Sequence, residues 1–499
     1  MAGPAGGSEP AANLPLMASL PAFGRLFETR DARLAIGAAI GAALLGVLFA
    51  LSAYEVSPLV LPVALVGLGF VVLTFLRPAW GAAGAMAATP LEVLNVSAGS
   101  GALSPAEAAL VLVGIAWVLR VLLRPETVAK PAVRDASIIG LLVCVFIGLS
   151  FAVNTGPVLR ISILWTLFYF VYLQAQSFTV AEIRLVVVAF AFGAGALGLV
   201  GAVSYLGSGN TVLYAGGALT STRAVGTFAD ANYYASLLVL ATLPAIALVL
   251  SKARRYAILI GPALFAIGGI AFSLSRGGIS GFVAGLLVLL LWARARWIAL
   301  GLIALFATLT FFNANPIVKS QQFGVVEQRL GSLRDPTHGA NSRRPEIWAT
   351  AIKVAEEHPF FGVGVNQFQY EAGRRGLTEY GSPLENAHSI PFSLLAETGL
   401  LGLSAFLLFA GQLGARAVRA LRTRDATRYA LALGFTAALL GFAVQGLTVA
   451  QIRTNIVTGA FLLTAGLVTN LADRAAAEPR AHASRHKSSS GGDSALARA

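Results

Sequence analysis

Residues 182–206 read EIRLVVVAFAFGAGALGLVGAVSYL. Past Arg184 no charged side chain appears in the remaining 22 residues of this stretch, nor before Arg223, and about 20 apolar residues in helical rise cross the hydrocarbon core of a bilayer. A surface helix of a soluble protein keeps one polar face; this stretch is apolar all round, as a helix facing lipid must be. Working outward, similar runs broken by charge or by Pro/Gly clusters occur at 33–54, 56–76, 79–95, 105–123, 134–153, 157–176, 231–250, 256–274, 277–292, 297–313, 390–412, 427–447 and 451–471. With 182–206 that makes fourteen runs, and 12–14 spans is the expectation. The run at 79–95 is short and contains Pro90 and Glu92, so it reads as a span or a re-entrant segment; 277–292 and 297–313 are short as well.

Composition agrees with the runs. Of 499 residues, 57% are hydrophobic and 12% charged, where a soluble domain carries about a quarter charged. That excludes an ordinary cytosolic enzyme. The predicted fold is an all-α polytopic membrane protein of about 12–14 transmembrane helices with one long extracytoplasmic loop. Its expected parts are a cytoplasmic N-terminal segment (1–32), a bundle of about 11 spans (33–313), the partly helical loop (314–389), three C-terminal spans (390–471) and a disordered cytoplasmic tail (472–499). The N-terminal segment lacks the charged-then-apolar pattern of a signal peptide, so the first span is expected to stay as an anchor. Cys144 is the sole cysteine, which leaves no disulfide and no CxxC site.

The net charge of +13 is explained by topology. With the N-terminus inside, most basic residues fall in short inner loops or the C-terminal tail, as the positive-inside rule asks. No basic patch is interleaved with aromatics, so nucleic acid is not an expected partner. In the long loop, 342–357 has helical spacing of Ile347, Ala351, Val354 and Ala355, and 366–373 has it more weakly. Between them HPFFGVGVNQF (358–368) carries the glycines of a tight turn, and His358 in it reads as structural.

The informative residues are charges at the expected outer membrane edge, where orientation does not require them and burial is costly. In TSTRAVGTFADANYYA (220–235), Arg223 precedes a span, Asp230 is a plausible N-cap, and Asn232 and Tyr233 open the helix; the plain alternative is an arginine that snorkels or pairs with Asp230. In SLSRGGIS (273–280), Arg276 lies at a hairpin tip, and Gly277 and Gly278 are read as letting the backbone turn and approach a ligand. An arginine beside a helix N-terminus suits phosphate, though a solvated hairpin arginine fits too. In ANSRRPEIW (340–348), Arg343 and Arg344 could grip a polyanion or simply charge a helix start. In ENAHSIPFSLLAETGLLG (385–402), His388 marks where the chain re-enters the membrane, with Glu385 three residues before. Histidine is suited to accept a proton near neutral pH, although a lone interfacial histidine is often structural. Glu397 follows about 13 Å deeper along a regular helix, a buried acid with either a functional or a packing role. HExxH, DxD, Walker and GxSxG patterns are missing from the sequence, so metal, nucleotide and nucleophile-elbow chemistry are not indicated, and no cofactor is expected.

These four stretches, in this order and on this side, resemble the O-antigen ligase and polymerase superfamily of bacterial envelope-glycan enzymes over roughly residues 182–471. The resemblance implies a helical membrane glycosyltransferase fold of the GT-C-like kind, lodged in the bacterial cytoplasmic (inner) membrane with its active site facing out. It implies a donor glycan on undecaprenyl diphosphate, transferred to an acceptor hydroxyl without nucleotide or metal. Arg223 and Arg276 would then hold the donor diphosphate, with Arg343 and Arg344 assisting; His388 would deprotonate the acceptor, and Glu385, Glu397 and Asn232 would support. The expected partners are that lipid-linked glycan, membrane lipid, and an acceptor glycan, lipid or protein. Ligase is the leading reading and repeat-unit polymerase stays open; a lipid-linked glycan flippase is the rival of another class, disfavoured by the lack of an internal repeat and by the long loop.

Overall fold

A computed structural model describes residues 60–92, 103–123, 125–127, 129–207, 211–214, 217–220, 223–251, 254–292, 296–297, 300–304, 343–379, 382–384 and 386–496. The expected span 33–54 and residues 298–299 and 305–313 of the run 297–313 lie outside the described residues. The chain divides into two compact units, Met1–Leu76 and Arg77–Ala499. Of the first, α1 (Val60–Leu76) is described, an apolar helix whose Thr74 hydroxyl donates back to the Phe70 carbonyl at 2.8 Å. That internal bond lets a hydroxyl sit in an apolar helix without an unpaired polar group.

The second unit begins with α2 (Pro78–Ala87), α3 (Pro105–Leu123), α4 (Ala136–Ile147), α5 (Thr155–Ala175) and α6 (Val180–Gly207). A two-stranded hairpin, β1 (Thr211–Tyr214) with β2 (Gly217–Thr220), precedes α7 (Ala231–Leu250), α8 (Ile260–Phe272) and α9 (Arg276–Leu289). The loop supplies α10 (Arg344–Glu357), α11 (Phe368–Arg374) and a second small hairpin, β3 (Thr378–Glu379) with β4 (Ser382–Pro383). The chain closes with α12 (Ile390–Ala420), α13 (Ala426–Gly446) and α14 (Asn455–Leu496). This is an all-α polytopic architecture. Among the described residues eight helices are long and apolar enough to cross a membrane, and three shorter apolar helices join them: Leu65–Leu76, Tyr256–Phe272 and Arg276–Leu289.

One open reading narrows and one expectation changes. The run at 79–95 forms only a ten-residue helix and a 3-10 turn (Thr89–Glu92), about 15 Å of helix. Its small residues, Ala79, Ala82, Ala83 and Ala85, are buried because α2 packs between α3 and α6 instead of crossing by itself. The tail expected to be disordered from 472 continues α14 as helix to Leu496. Alanine-rich sequence favours helix, and the first turns are docked: Ala472 and Ala475 are buried, Asp473 pairs with Arg134 at 2.8 Å, and Glu478 pairs with Arg428 at 2.8 Å.

Two central helices organise the rest. The apolar window of α7 is 83% buried and that of α14 94%, so both are walled by protein where other spans face lipid. α7 touches α6, α8, α9 and α13; α14 touches α5, α12 and α13. Glycines permit close approach on α6, where a side chain at Gly195 or Gly198 would strike Pro262 or Phe265 of α8. The up-and-down packing brings the N-termini of α7, α9, α12 and α14 to one end of the bundle, the end that also holds α10 and α11.

Candidate functional site

The first wall of the site starts at α7. Asp230 is its N-cap: Oδ1 accepts from the Asn232 amide at 2.6 Å and from Tyr233 at 3.3 Å, satisfying donors that a helix start leaves open. The preceding turn is tied down by the Ala224 amide donating to the Phe272 carbonyl at 2.9 Å. Arg223 thereby reaches the C-terminal end of α8, where Nε donates to the Ser273 carbonyl at 2.9 Å, while Nη2 donates to Asn232 Oδ1 at 3.1 Å. The Ser275 hydroxyl donates to that same oxygen at 2.8 Å and accepts from the Gly278 amide as the N-cap of α9. Arg276 is the first residue of α9, half-buried. Asn232 therefore sets Arg223 and the start of the Arg276 helix against one another.

Gly277 and Gly278 do something other than expected. They lie inside the first turn of α9, and the left-handed residue at the turn is Leu274, with φ 48°. A side chain at Gly277 would press Thr448, Val449 and Gln445, and one at Gly278 would press Ala235. The two glycines let α9 meet α7 and α13, so helix packing is their reason. Gln445 of α13 is fully buried and donates to the Asn232 carbonyl at 2.9 Å; its Oε1 has no hydrogen-bond partner among the described residues.

The second wall carries His388. Asn386 is buried, its Oδ1 accepts from the His388 amide at 2.8 Å, and its Nδ2 donates to the Tyr233 hydroxyl at 3.3 Å. His388 adopts φ 48°, a left-handed conformation that a non-glycine residue holds only when its surroundings fix it. Trp348 of α10 supplies another fixture: its indole N–H donates to the Ala387 carbonyl at 3.0 Å, and its ring stacks on Phe392 with centroids 5.0 Å apart. Behind it Ile347, Ala351 and Val354 form a small core with Val363, Phe368, Ala372, Leu377, Leu384, Ala387 and Ala396. The loop thus has its own hydrophobic interior, pressed against the start of α12.

The turn 358–364 threads into α12, which breaks at Gly399 (φ 65°, ψ −168°). The Ala396 and Glu397 carbonyls accept from the Val363 and Gly364 amides at 3.1 and 2.9 Å, and the Leu400 and Leu401 amides donate to Pro359 and Phe360 at 2.8 and 3.2 Å. A side chain at Gly362 would collide with the Glu397 backbone. Gln367 ties the other side of the turn to the α4–α5 connection, accepting from the Asn154 amide and donating to its carbonyl, both at 3.0 Å. At the outer rim Arg375 bonds Glu357 at 2.6 Å and also pairs with Glu371; the hydrogen bond from Arg375 holds the Glu357 carboxyl below its ordinary range and raises the guanidinium in turn.

A hydrogen-bonded path therefore joins the expected residues: Arg223 and Ser275 meet on Asn232, the adjacent Tyr233 meets Asn386, and Asn386 holds His388. Arg343 and Arg344 stand at the start of α10, one turn from Trp348, with Arg343 on Glu346 at 3.3 Å. Glu397 is buried on Arg453, at 2.9 Å. Glu385 lies outside the described residues. Among the described residues no group of three or more His, Cys, Asp or Glu side chains is placed to hold a metal ion. Sequence reasoning missed Ser275, Asn386, Trp348, Gln445 and Arg453. An asparagine two residues before His388 is a known turn signal and Ser275 a cap signal; the others carry none.

Comparison with known proteins places a family on part of this architecture. Residues 261–407 match the O-antigen ligase family. The matched segment holds Arg276, Arg343, Arg344, Glu385, His388 and Glu397, while Arg223 and Asn232 precede it and Arg453 follows it. A chain from a solved structure described as "Structural coordination of polymerization and crosslinking by a peptidoglycan synthase complex" is similar with a TM-score of 0.41 and 18% identity, over 68% of this chain and 97% of that chain. No curated protein matches the sequence.

Proposed function

We propose, proceeding from the O-antigen ligase segment at residues 261–407 of this multi-pass bacterial membrane protein, that the chain moves a glycan from undecaprenyl diphosphate to an acceptor hydroxyl at the outer face of the cytoplasmic membrane. The O-antigen ligase and polymerase superfamily supplies the class of reaction, a glycan transfer. The observation that carries the residue roles is the path from Arg223 and Ser275 through Asn232, Tyr233 and Asn386 to His388. It links Arg223 and the capping serine of the Arg276 helix to the backbone of His388 at the same end of the bundle.

In this reading the acceptor oxygen attacks the anomeric carbon of the donor sugar, the bond from that carbon to the diphosphate oxygen breaks, and the His388 imidazole takes the acceptor's proton. The leaving undecaprenyl diphosphate gains negative charge, which Arg223 and Arg276 hold, with Arg343 and Arg344 closing from the loop. Guanidinium forks suit this task because they donate two parallel hydrogen bonds to phosphate oxygens. Asn232 supports by aiming Arg223 and Glu397 by supporting α12, and Glu385 is a further supporting residue of this reading. Membrane lipid surrounds the site, and the acceptor is a glycan, lipid or protein.

Ligase is the reading preferred; a repeat-unit polymerase would use the same groups with a second lipid-linked chain as acceptor. The deciding experiment incubates purified protein with a defined undecaprenyl-diphosphate oligosaccharide and candidate acceptors, with products read by mass spectrometry. One adduct per acceptor supports a ligase, and a ladder spaced by the repeat unit supports a polymerase. Donor binding with no turnover, together with donor translocation in liposomes, would overturn the transferase reading in favour of a flippase.

A further inference from the structure

The buried acid of α12 and a cation from the turn before the neighbouring α14 form one device. Glu397 is 2% exposed and the Arg453 side chain 10%; Arg453 Nη1 donates to both carboxylate oxygens, at 2.9 and 3.1 Å. Arg453 stands in the 3-10 turn Gln451–Arg453 that leads into α14. The Phe368 amide, at the start of α11, also donates to Glu397 Oε1 at 3.4 Å. One carboxylate thus gathers a span, the turn before another span, and the loop.

Its place along α12 matters. In an unbroken helix the amides of residues 400 and 401 would donate to the carbonyls of 396 and 397. Here all four groups bond to residues 359, 360, 363 and 364 of the loop. The segment 390–398, which begins next to His388, is therefore cut off from the remainder of its own helix, and its direction is set by whatever grips it. A buried ion pair is a poor means of gaining stability, because desolvation offsets most of the attraction and an apolar pair of similar size does as well or better. What it supplies is a fixed geometry.

We propose that Glu397 and Arg453 are a positioning pair for His388: they lock the N-terminal segment of α12, and the loop threaded into its break, onto the turn before α14. This rests on His388 being the base of the transfer proposed above. The pair touches no reacting atom. It acts through the backbone around His388, whose preceding peptide unit, the Ala387 carbonyl and the His388 amide, is held by Trp348 and Asn386.

The test uses the full chain in lipid nanodiscs, with an undecaprenyl-diphosphate oligosaccharide as donor. Replacing one partner leaves a lone buried charge and can unfold the protein, so the main variant is the double Glu397→Met, Arg453→Met, which removes both charges together. It is expected to melt within a few degrees of wild type and to keep the donor KM, while kcat falls about tenfold to a hundredfold, the scale of a small misplacement of a reacting group. Hydrogen exchange should rise in 386–398 and 359–368 and stay unchanged in 223–235 and 270–280. The swapped pair, Glu397→Arg with Arg453→Glu, should recover part of the lost kcat. Wild-type kcat and wild-type exchange in the double methionine variant would overturn the proposal and leave the pair as packing. Should the wild-type protein turn over no donor at all, the transferase reading falls separately, and exchange at 386–398 still decides: no change there in the double variant overturns the pinning.

Discussion

The two ends of the bundle are both rich in buried polar groups and use them differently. At the end away from the loop, the Tyr172 hydroxyl donates to Asp135 at 2.7 Å and accepts from Arg416 at 2.7 Å, and Arg416 also donates to the Arg134 carbonyl at 2.8 Å. Asn470 caps α5 by donating to the carbonyls of Ala175, Gln176 and Phe178. Those groups answer each other, and the backbone around them is unstrained. At the loop end lie Leu274, Asn366 and His388, which among the described residues are the non-glycine positions with positive φ. Each sits beside a candidate group: Leu274 before Ser275 and Arg276, Asn366 in the turn threaded under Glu397, and His388 itself. Backbone strain of about 1–3 kcal/mol per residue persists where structure over-determines it, and it gathers at working sites. One end stabilises the bundle, and the other spends that stability on geometry.

That contrast is broken most directly at His388. His388→Ala is expected to cut transfer by about a thousandfold or more, the range for removing a general base, with the protein still inserted and donor binding retained; turnover close to wild type would end the base assignment. Next comes Arg276→Ala, expected to lower kcat/KM about a hundredfold, the scale of losing one charge-stabilising donor. Arg276→Lys should restore only part, since a point charge lacks the bidentate fork. Full rescue by lysine would mean that net charge suffices and that the guanidinium geometry at this end has no role.

The other end gives the converse. Arg416→Met removes the cation facing Tyr172 and Asp135 and should cost about 3 kcal/mol of stability, as loss of one partner of a buried charged network does. Donor KM and kcat of the folded fraction should stay at wild-type values. A specific change in KM without a loss of thermal stability would show that the two ends are not separate in function.

How much of this was legible depended on whether the signal was local. Long apolar runs gave α5, α6, α7 and α13 to within a few residues, and the start of α12 but not its end, which lies eight residues past the expected 412, because nothing else satisfies a helical backbone in lipid. PAWGAAGAMA at 78–87 left two readings open, since small residues raise hydropathy without giving the length of a span, and the short helix fits the one that does not cross. The alanines after Asp473 were hidden by the polar residues around them. In the site, residue type and position marked Arg223, Arg276 and His388, but the break at Gly399 was invisible: ETGLLG reads as an ordinary membrane helix, and the loop that fills the break comes from 33 to 41 residues earlier. Gln445 and Arg453 join the site from elements distant in sequence, a relation that only packing creates. Gly277 and Gly278 were noticed for the wrong reason, since contact with neighbouring helices demands glycine as firmly as a turn does.

A smaller effect sharpens the role of the loop. Trp348→Phe keeps the stack on Phe392 and deletes the hydrogen bond to the Ala387 carbonyl. The loss of one such bond is worth about 1 kcal/mol, or about fivefold. It is expected in kcat and not in donor KM, because Arg223 and Arg276 are held by other elements. A loss confined to KM would mean that α10 serves the donor and not His388.

The smallest effect tests the rim. Glu357 is held below its ordinary value of 4.5 first by the Arg375 hydrogen bond and then by the charges of Arg375 and His358. A carboxylate with a depressed folded pKa stabilises above its unfolded pKa, and that contribution fades as pH falls through the folded value. Comparing thermal melts of wild type and Glu357→Gln should therefore show a slight wild-type advantage near about pH 6 that disappears on acidification below the ordinary value, and that shrinks with added salt because the pair is exposed. Since Arg375 also grips Glu371, the loop core of Ile347, Val354 and Phe368 should hold its fold through the transition. An advantage that survives below the folded pKa would assign it to packing of the side-chain stem in place of its charge, and would leave the Arg375 pairing without a share in holding the loop over the His388 end.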